Sequence, residues 1–216
     1  MEKYRHIIWD WNGTLWDDTW LCVEINNHML QRRRLPEITV DTYRNTLCFP
    51  VVDYYCQLGF DYENDPYDRL AEEFIAEYEH RRFECALQEG ACELIQMLHA
   101  RNIPHAVLSA YQHDTLLQAV DYFGLTPFFN DIIGLDDIYA AGKMENGRKY
   151  IAGLDLAPSE VLFIGDTIHD FEVAEAMGVN CILVACGHNS RSRLDSCGVP
   201  VLDAIDELHT YIAGVV

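Results

Sequence analysis

The sequence predicts an α/β protein in which a doubly wound parallel sheet carries a smaller helical domain inserted after its first strand. Two observations predict the sheet. Short apolar runs recur at residues 7–9, 106–108, 132–133, 161–164 and 181–184, and each is followed by small or polar residues and then by a helical pattern. Continuous apolar runs are what strands buried on both faces require, and alternation of strand and helix with right-handed crossovers winds such strands into one layer. A third observation predicts the insertion. Between residues 17 and 87 the rhythm breaks, and Leu21, Ile25 and Met29, then Leu70, Phe74 and Tyr78, repeat at four-residue spacing with no strand signal between them.

Taken in order, the first run leads into Asp10-Trp11-Asn12-Gly13-Thr14-Leu15, and Trp9, Trp11 and Trp16 are expected in the core and at a crevice wall. In the insertion, Arg32-Arg33-Arg34 reads as a solvated helix end. The aromatic turn 49–55 either faces the crevice or packs the insertion's own core, and Arg44 is the cation nearest to it, a candidate for meeting an anionic substrate tail. Leu94, Ile95 and Leu98 mark the next helical stripe, and Leu116, Leu117 and Val120 another, with Gly124 as its C-cap. Lys143, beside a glycine, follows the third run; Gly165-Asp166-Thr167-Ile168-His169-Asp170 follows the fourth and opens a helix carrying Ala174 and Met177 and closed by Gly178. The sheet domain is therefore 1–16 plus 88–216, and the helical insertion 17–87.

Composition narrows the function. Half of the 216 residues are apolar, enough for a real core, and 35 acidic against 15 basic residues give a formal charge of −20. Such a surface repels phosphodiester backbones and anionic lipid heads, so neither nucleic acid nor a membrane surface is the expected partner. The opening residues Met1-Glu2-Lys3-Tyr4-Arg5-His6 lead into no signal-peptide apolar region, and no run approaches the roughly 18 residues of a membrane helix. Eight scattered cysteines without a C-x-x-C pair read as reduced packing residues, so the expected location is the cytoplasm. Oligomeric state is not legible.

In an open parallel sheet the loops at the carboxyl ends of the strands converge on one crevice, and here they bring a coherent set. Asp10 and Asn12, two apart, face one side in extended backbone; Ser109 follows the second run; Asp166 and Asp170 lie one helical turn apart. Clustered carboxylates repel unless a cation sits among them, and an all-oxygen site suits magnesium. A phosphate brought to that metal wants one cation and a few neutral donors, which Lys143, Ser109 and backbone amides near Gly13 can supply. An aspartate can serve as the nucleophile.

These residues, in this order, resemble the four motifs of the haloacid dehalogenase superfamily, and the helical insertion resembles the small helical cap of its phosphoglycolate-phosphatase-like branch, on a Rossmann-like core. The resemblance implies a magnesium-dependent phosphatase acting on a small phosphorylated metabolite. It implies that Asp10 attacks phosphorus and also binds magnesium, that the Asn12 carbonyl and Asp166 are further metal ligands, and that Asp170 holds metal-bound waters. It implies that Gly13, Thr14 and Ser109 bind the phosphoryl oxygens and that Lys143 neutralises charge on Asp10 and the phosphoryl group.

Two departures bear on this. The family's second aspartate protonates the leaving oxygen, and Asn12 in its place has no titratable proton. Another group could supply the proton, Asp17, Asp18 and His169 being nearby in sequence; the substrate could have a good leaving group, such as an acyl or aryl phosphate; or the protein could bind a phosphorylated ligand and regulate rather than turn over. Lys143 is followed by Met144 in place of the common proline, which leaves Lys149 as a rival lysine. Residues 19–86 contain no lysine, as the cap of a phosphonatase would require.

Overall fold

The computed structural model describes residues 4–136 and 142–213. Met1-Glu2-Lys3 and the stretches 137–141 and 214–216 of the expected sheet domain lie outside the described residues. The sheet has six strands, β1 (His6–Trp9), β2 (His105–Gln112), β3 (Asp131–Leu135), β4 (Val161–Gly165), β5 (Asn180–Val184) and β6 (Val201–Leu202). They run in the order β3-β2-β1-β4-β5-β6, and every pair is parallel. This is the doubly wound α/β order in which the direction of winding reverses between the first and fourth strands. The five apolar runs lie in β1 to β5. The sixth strand is only Val201 and Leu202, both half-buried, too short for any pattern to announce it.

After β1 the chain leaves the sheet for α1 (Thr19–Arg32), α2 (Val40–Thr46), α3 (Val51–Gln57) and α4 (Tyr67–Arg81). It returns to α5 (Ala91–Ala100), α6 (His113–Tyr122), α7 (Lys143–Gly153), α8 (Ile168–Met177), α9 (Arg191–Leu194) and α10 (Ile205–Ala213). Strand side chains alternate faces. Ile7, Trp9, Val107 and Ile164 point to the layer of α5, α6 and α10, where Leu94, Leu98, Leu116 and Leu208 are fully buried. Ile8, Leu108, Phe163 and Leu183 point to the other layer and meet Val173, Ala174 and Met177 of α8. Leu117, expected in the α6 stripe, is instead 37% exposed, because Leu116, Ala119 and Val120 complete the buried face without it.

The four inserted helices do not form a core of their own. Leu21, Ile25, Met29 and Leu70 belong to the same apolar cluster as Ile7 and Trp9 of the sheet. Where the chain leaves and re-enters, Trp16 pairs antiparallel with Leu87, flanked by amide bonds from Asp17 to Ala86 and from Gln88 to Leu15, both 2.9 Å. Arg32 and Arg34 are exposed, as a solvated helix end requires, and Arg32 and Arg33 are also ion-paired. Arg33 donates to Glu73 at 2.6 Å and to Asp65, and Arg32 to Glu73, so they fasten the end of α1 to α4 and to the turn before it. All eight cysteines are free thiols, and no described helix is long and apolar enough to cross a membrane.

Candidate active site

Winding reverses between β1 and β4, so the loops after these strands part and leave a crevice at their carboxyl ends. Asp10 follows β1 and Asp166 follows β4, and their strands are paired in register, Trp9 opposite Ile164. Lys143 opens α7 and Asp170 sits in the first turn of α8. The structure brings these four together. The Lys143 ammonium donates to Asp10 and, at 2.5 Å, to Asp170. Carboxylate oxygens of Asp10, Asp166 and Asp170 all lie within 4.8 Å of one another, fully buried, and could hold a metal ion. Lys149, the rival lysine, lies on the exposed side of α7 paired with Glu145.

Backbone geometry makes the close approach possible. Gly13 turns the chain at φ +76°, and a Cβ there would stand 2.3 Å from Asp166 Oδ2, so only glycine fits. Asp170 fixes the other wall: its Oδ2 accepts from the Thr167 amide at 2.9 Å and the Asp166 amide at 3.1 Å, while the Thr167 hydroxyl accepts from the Asp170 amide at 3.2 Å. This reciprocal cap satisfies the start of α8 and holds the loop after β4 in place.

The electrostatics leave this cluster short of positive charge. Three buried carboxylates share one lysine. Burial pushes the Asp10 carboxyl above the ordinary range and outweighs the opposing pull of Lys143, with Asp170 and Asp166 adding repulsion. Burial likewise raises Asp166. Lys143 is desolvated too, but Asp10 and Asp170 hold it firmly charged. A divalent cation among the carboxylates would relieve the imbalance.

Two residues expected at the phosphoryl group are engaged elsewhere. The Thr14 hydroxyl, fully buried, donates to Asp166 at 2.7 Å, and the Gly13 amide donates to Asp18 at 2.9 Å. Both bonds follow from the tight turn at Gly13, which folds the Thr14 side chain back on Asp166 and points the amide at the start of α1. Ser109, 1% exposed on β2, does line the crevice and accepts from the Tyr111 amide at 3.1 Å.

Asn12 sits in a hub that the sequence did not disclose. Its amide donates to Asp18 at 2.9 Å and to the Tyr78 hydroxyl at 2.8 Å, and Tyr78 in turn donates to Asp18 at 2.6 Å. On the far side His188 meets Asp18 through Nε2 at 3.2 Å and Tyr43 through Nδ1 at 3.1 Å, while its backbone amide donates to Asp166 at 2.6 Å. Burial opposes charge on His188, but Asp18 raises its pKa to about 9. Asp18 is desolvated as well, yet His188, Tyr78 and Asn12 hold its pKa below normal. Asp18 is therefore an ionised, fully hydrogen-bonded acceptor and not a spare acid. His169 lines the crevice, packs tilted against Phe49 with ring centroids 5.1 Å apart, and faces Glu172 at 3.3 Å. Asp17 does not line the crevice. His188 lies in the loop after β5, farther from its strand than Asp166 is from β4, so a rule confined to the residues just after each apolar run passes over it.

A cavity of about 530 Å³ opens above these groups. Its floor holds Asp10, Asn12, Ser109, Lys143 and Asp170, and its roof comes from the insertion, including Phe49, Tyr54, Tyr55 and Phe74. The aromatic turn 49–55 thus does both things the sequence allowed, with Tyr54 and Tyr55 buried in the core and also lining the cavity. Arg44 does not line it; its guanidinium donates to the Cys186 carbonyl, pinning α2 to the loop after β5.

Fold and site together define a sheet-based enzyme whose acidic cluster lies beneath a helical roof. The family profile of the haloacid dehalogenase-like hydrolases matches residues 7–184, and the chain belongs to that family. A pyrophosphatase, PpaX, from Listeria innocua is 26% identical over 176 residues, covering 80% of this chain and 79% of its own length. A chloroplastic 5-amino-6-(5-phospho-D-ribitylamino)uracil phosphatase from Arabidopsis thaliana is 29% identical over 103 residues, 47% of this chain, and the matched part is only 28% of that protein. Among solved structures, a haloacid dehalogenase-like hydrolase from Streptococcus pneumoniae superposes with a TM-score of 0.81 at 17% identity, covering 97% of this chain and 98% of that one.

Proposed function

We propose that this protein is a magnesium-dependent phosphomonoesterase of the cytoplasm that transfers the phosphoryl group of a small metabolite to Asp10 and then to water. The observation that carries the reading is the buried cluster itself: Asp10 held by Lys143, with Asp166 and Asp170 within 4.8 Å, at the floor of a roofed cavity. The relatives named as phosphatase and pyrophosphatase act on phosphate bonds, which supports it.

The donor set fits magnesium, since the clustered side-chain atoms are carboxylate oxygens and the uncompensated negative charge calls for a hard cation. Asp10, Asp166 and the Asn12 carbonyl would hold it, with Asp170 reaching it through water. When bound it supplies positive charge to the phosphoryl oxygens. The remaining steps belong to the chain. Lys143 opposes the effect of burial on Asp10, aims its carboxyl group, and faces charge that develops on the phosphoryl oxygens. Ser109 hydrogen-bonds one of those oxygens, and Asp10 attacks in line. Thr14 and the His188 amide orient Asp166 rather than touch the phosphoryl group. Closure under the insertion keeps bulk water away until transfer is complete.

One observation favours a second reading, that of a phospho-ligand-binding or regulatory protein with weak catalysis: the Asn12 amide has no proton to give a leaving group. One experiment separates the two. Phosphate release from aryl, acyl and sugar phosphates is followed with magnesium and with chelator, for the wild type and Asp10→Asn. We expect magnesium-dependent release that falls by about 10⁴-fold or more in Asp10→Asn. A wild type that binds phosphate with magnesium but releases none from any ester would replace the phosphatase reading with the regulatory one.

A further inference from the structure

The cavity above the acidic cluster carries information about the group attached to the phosphate. The wall contributed by the insertion is aromatic and aliphatic, with Leu47, Val51, Tyr55, Phe74 and Ile75 among its members. Among the described lining residues the basic groups are Lys143, His188 and His169, and each already faces a carboxylate, Lys143 those of Asp10 and Asp170, His188 that of Asp18 and His169 that of Glu172 at 3.3 Å. The one acid on the roof, Glu79, is paired with Arg82 at 2.6 Å. A carboxylate or a second phosphate on the leaving group would be stripped of water here and meet no free cation, which is unfavourable.

The same wall holds two buried polar atoms without a hydrogen-bond partner in the protein, Tyr54 Oη and Asn26 Oδ1, in side chains that are each 1% exposed. A hydroxyl donor and an amide acceptor suit an uncharged polar group, and leaving them unmatched is costly. Below them, Asn12 and Tyr78 both direct their donors at Asp18. A departing oxygen therefore finds no acid in the place where the family's second aspartate would stand.

Building on the phosphatase reading above, we propose that the substrate is the phosphate monoester of a phenol, an aryl phosphate whose ring lies between Tyr55, Phe74 and Ile75 and carries an uncharged polar group toward Tyr54 and Asn26. Two separate features select this class. An aromatic ring packs favourably on the aromatic and aliphatic wall that the insertion contributes. A phenol also has a pKa near 10, as tyrosine does, far below that of an aliphatic alcohol, so its oxygen leaves unprotonated. In the step, an Asp10 carboxylate oxygen forms a bond to phosphorus as the bond from phosphorus to the phenolic oxygen breaks. The electron pair departs on that oxygen as phenolate, which takes its proton from solvent. Water then attacks the phosphoryl group on Asp10, releasing inorganic phosphate and restoring the carboxylate.

The test uses the full chain with magnesium. Phosphate release is measured from phenyl, 2-naphthyl, 4-carboxyphenyl and ethyl phosphates, phosphoglycolate and pyrophosphate. Binding of the inert phenylphosphonate and phosphonoacetate is measured by calorimetry. We expect kcat/KM for phenyl and 2-naphthyl phosphate at least 100-fold above ethyl phosphate, phosphoglycolate and pyrophosphate. The carboxylate of 4-carboxyphenyl phosphate should raise KM at least tenfold against phenyl phosphate, a comparison that holds the type of leaving group constant. Ile75→Arg should narrow the preference for phenyl phosphate over phosphoglycolate at least tenfold. Comparable kcat/KM for phosphoglycolate or pyrophosphate, or equal KM for the two phenyl esters, would overturn the substrate class while leaving the phosphatase reading intact. If no ester is hydrolysed, the phosphatase reading fails, and the proposal fails with it as a statement about substrate. Tighter binding of phenylphosphonate than of phosphonoacetate would then still assign the cavity to aryl ligands.

Discussion

Asn12 is where one side chain decides most. Its amide donates to Asp18 at 2.9 Å, in a place where a carboxylate would face another carboxylate. Asn12→Asp therefore exchanges an attraction for a repulsion in a buried site, and the new carboxyl takes up a proton more readily in the folded state than in the unfolded chain. The sign follows. The variant's penalty is absent at low pH, where the carboxyl is protonated and can donate to Asp18, and grows as pH rises above about 4. Urea unfolding of the metal-free proteins should show Asn12→Asp less stable than wild type by about 1–3 kcal/mol at pH 7.5, with the gap closing toward pH 5. The sequence could flag Asn12 as a departure. It could not show why the amide is tolerated, because Tyr78 and His188 meet Asp18 only after distant segments have packed.

At the scale of an element, α8 shows one residue type serving stability and chemistry together. Asp170 caps the helix through Oδ2 and meets Lys143 through Oδ1. Thr167 completes the cap from the other side, and its hydroxyl also donates to Asp170 at 2.6 Å. Thr167→Ala removes both bonds. It should lower stability by about 1 kcal/mol, in line with other N-cap losses, and free the Asp170 carboxylate to swing. The expected result in thermal unfolding and magnesium titration is a modestly lower Tm together with weaker metal binding. A drop in Tm with unchanged metal affinity would make the cap purely structural. The start of a helix after the fourth run was legible in the sequence, whereas the contact with Lys143 depends on α7 and α8 packing side by side.

For the whole molecule, buried histidines set the pH range of stability. His188 is held charged, with a folded pKa of about 9 against an ordinary 6.5. Its contribution is complete below pH 6.5 and is lost as pH rises through 9, on the order of 2–3 kcal/mol. His6 and His105 behave oppositely. Burial lowers both to about 4, against a smaller upward pull of Asp131 on His6, so their contribution is present above pH 6.5 and is lost as pH falls toward 4. His105 accepts from the Trp9 indole at 3.2 Å, which fits its neutral form. Chemical denaturation in chelator should show a loss below pH 6.5 from His6 and His105 and a loss above it from His188, the latter added to the loss with rising pH that the raised Asp10 and Asp166 carboxyls cause. His188→Gln should flatten the alkaline fall and leave the acid one, and an unchanged alkaline limb would mean that the pair with Asp18 does not govern it.

The sequence by itself determined the first five strands, the helical insertion and the order of Asp10, Ser109, Lys143, Asp166 and Asp170. Those features rest on local periodicity and on one topological rule, that loops converge at the carboxyl ends of parallel strands. Tertiary structure alone decided which lysine enters the cluster, since Lys143 and Lys149 differ only in the face of α7 they occupy. It also bonded Thr14 to Asp166 and the Gly13 amide to Asp18, placed His188 beside Asp18, and made the cavity roof largely aromatic and aliphatic. The reason is physical: burial, carboxylate repulsion and hydrogen-bond satisfaction depend on distances between residues that different segments bring together, and no pattern along a single strand or helix encodes them.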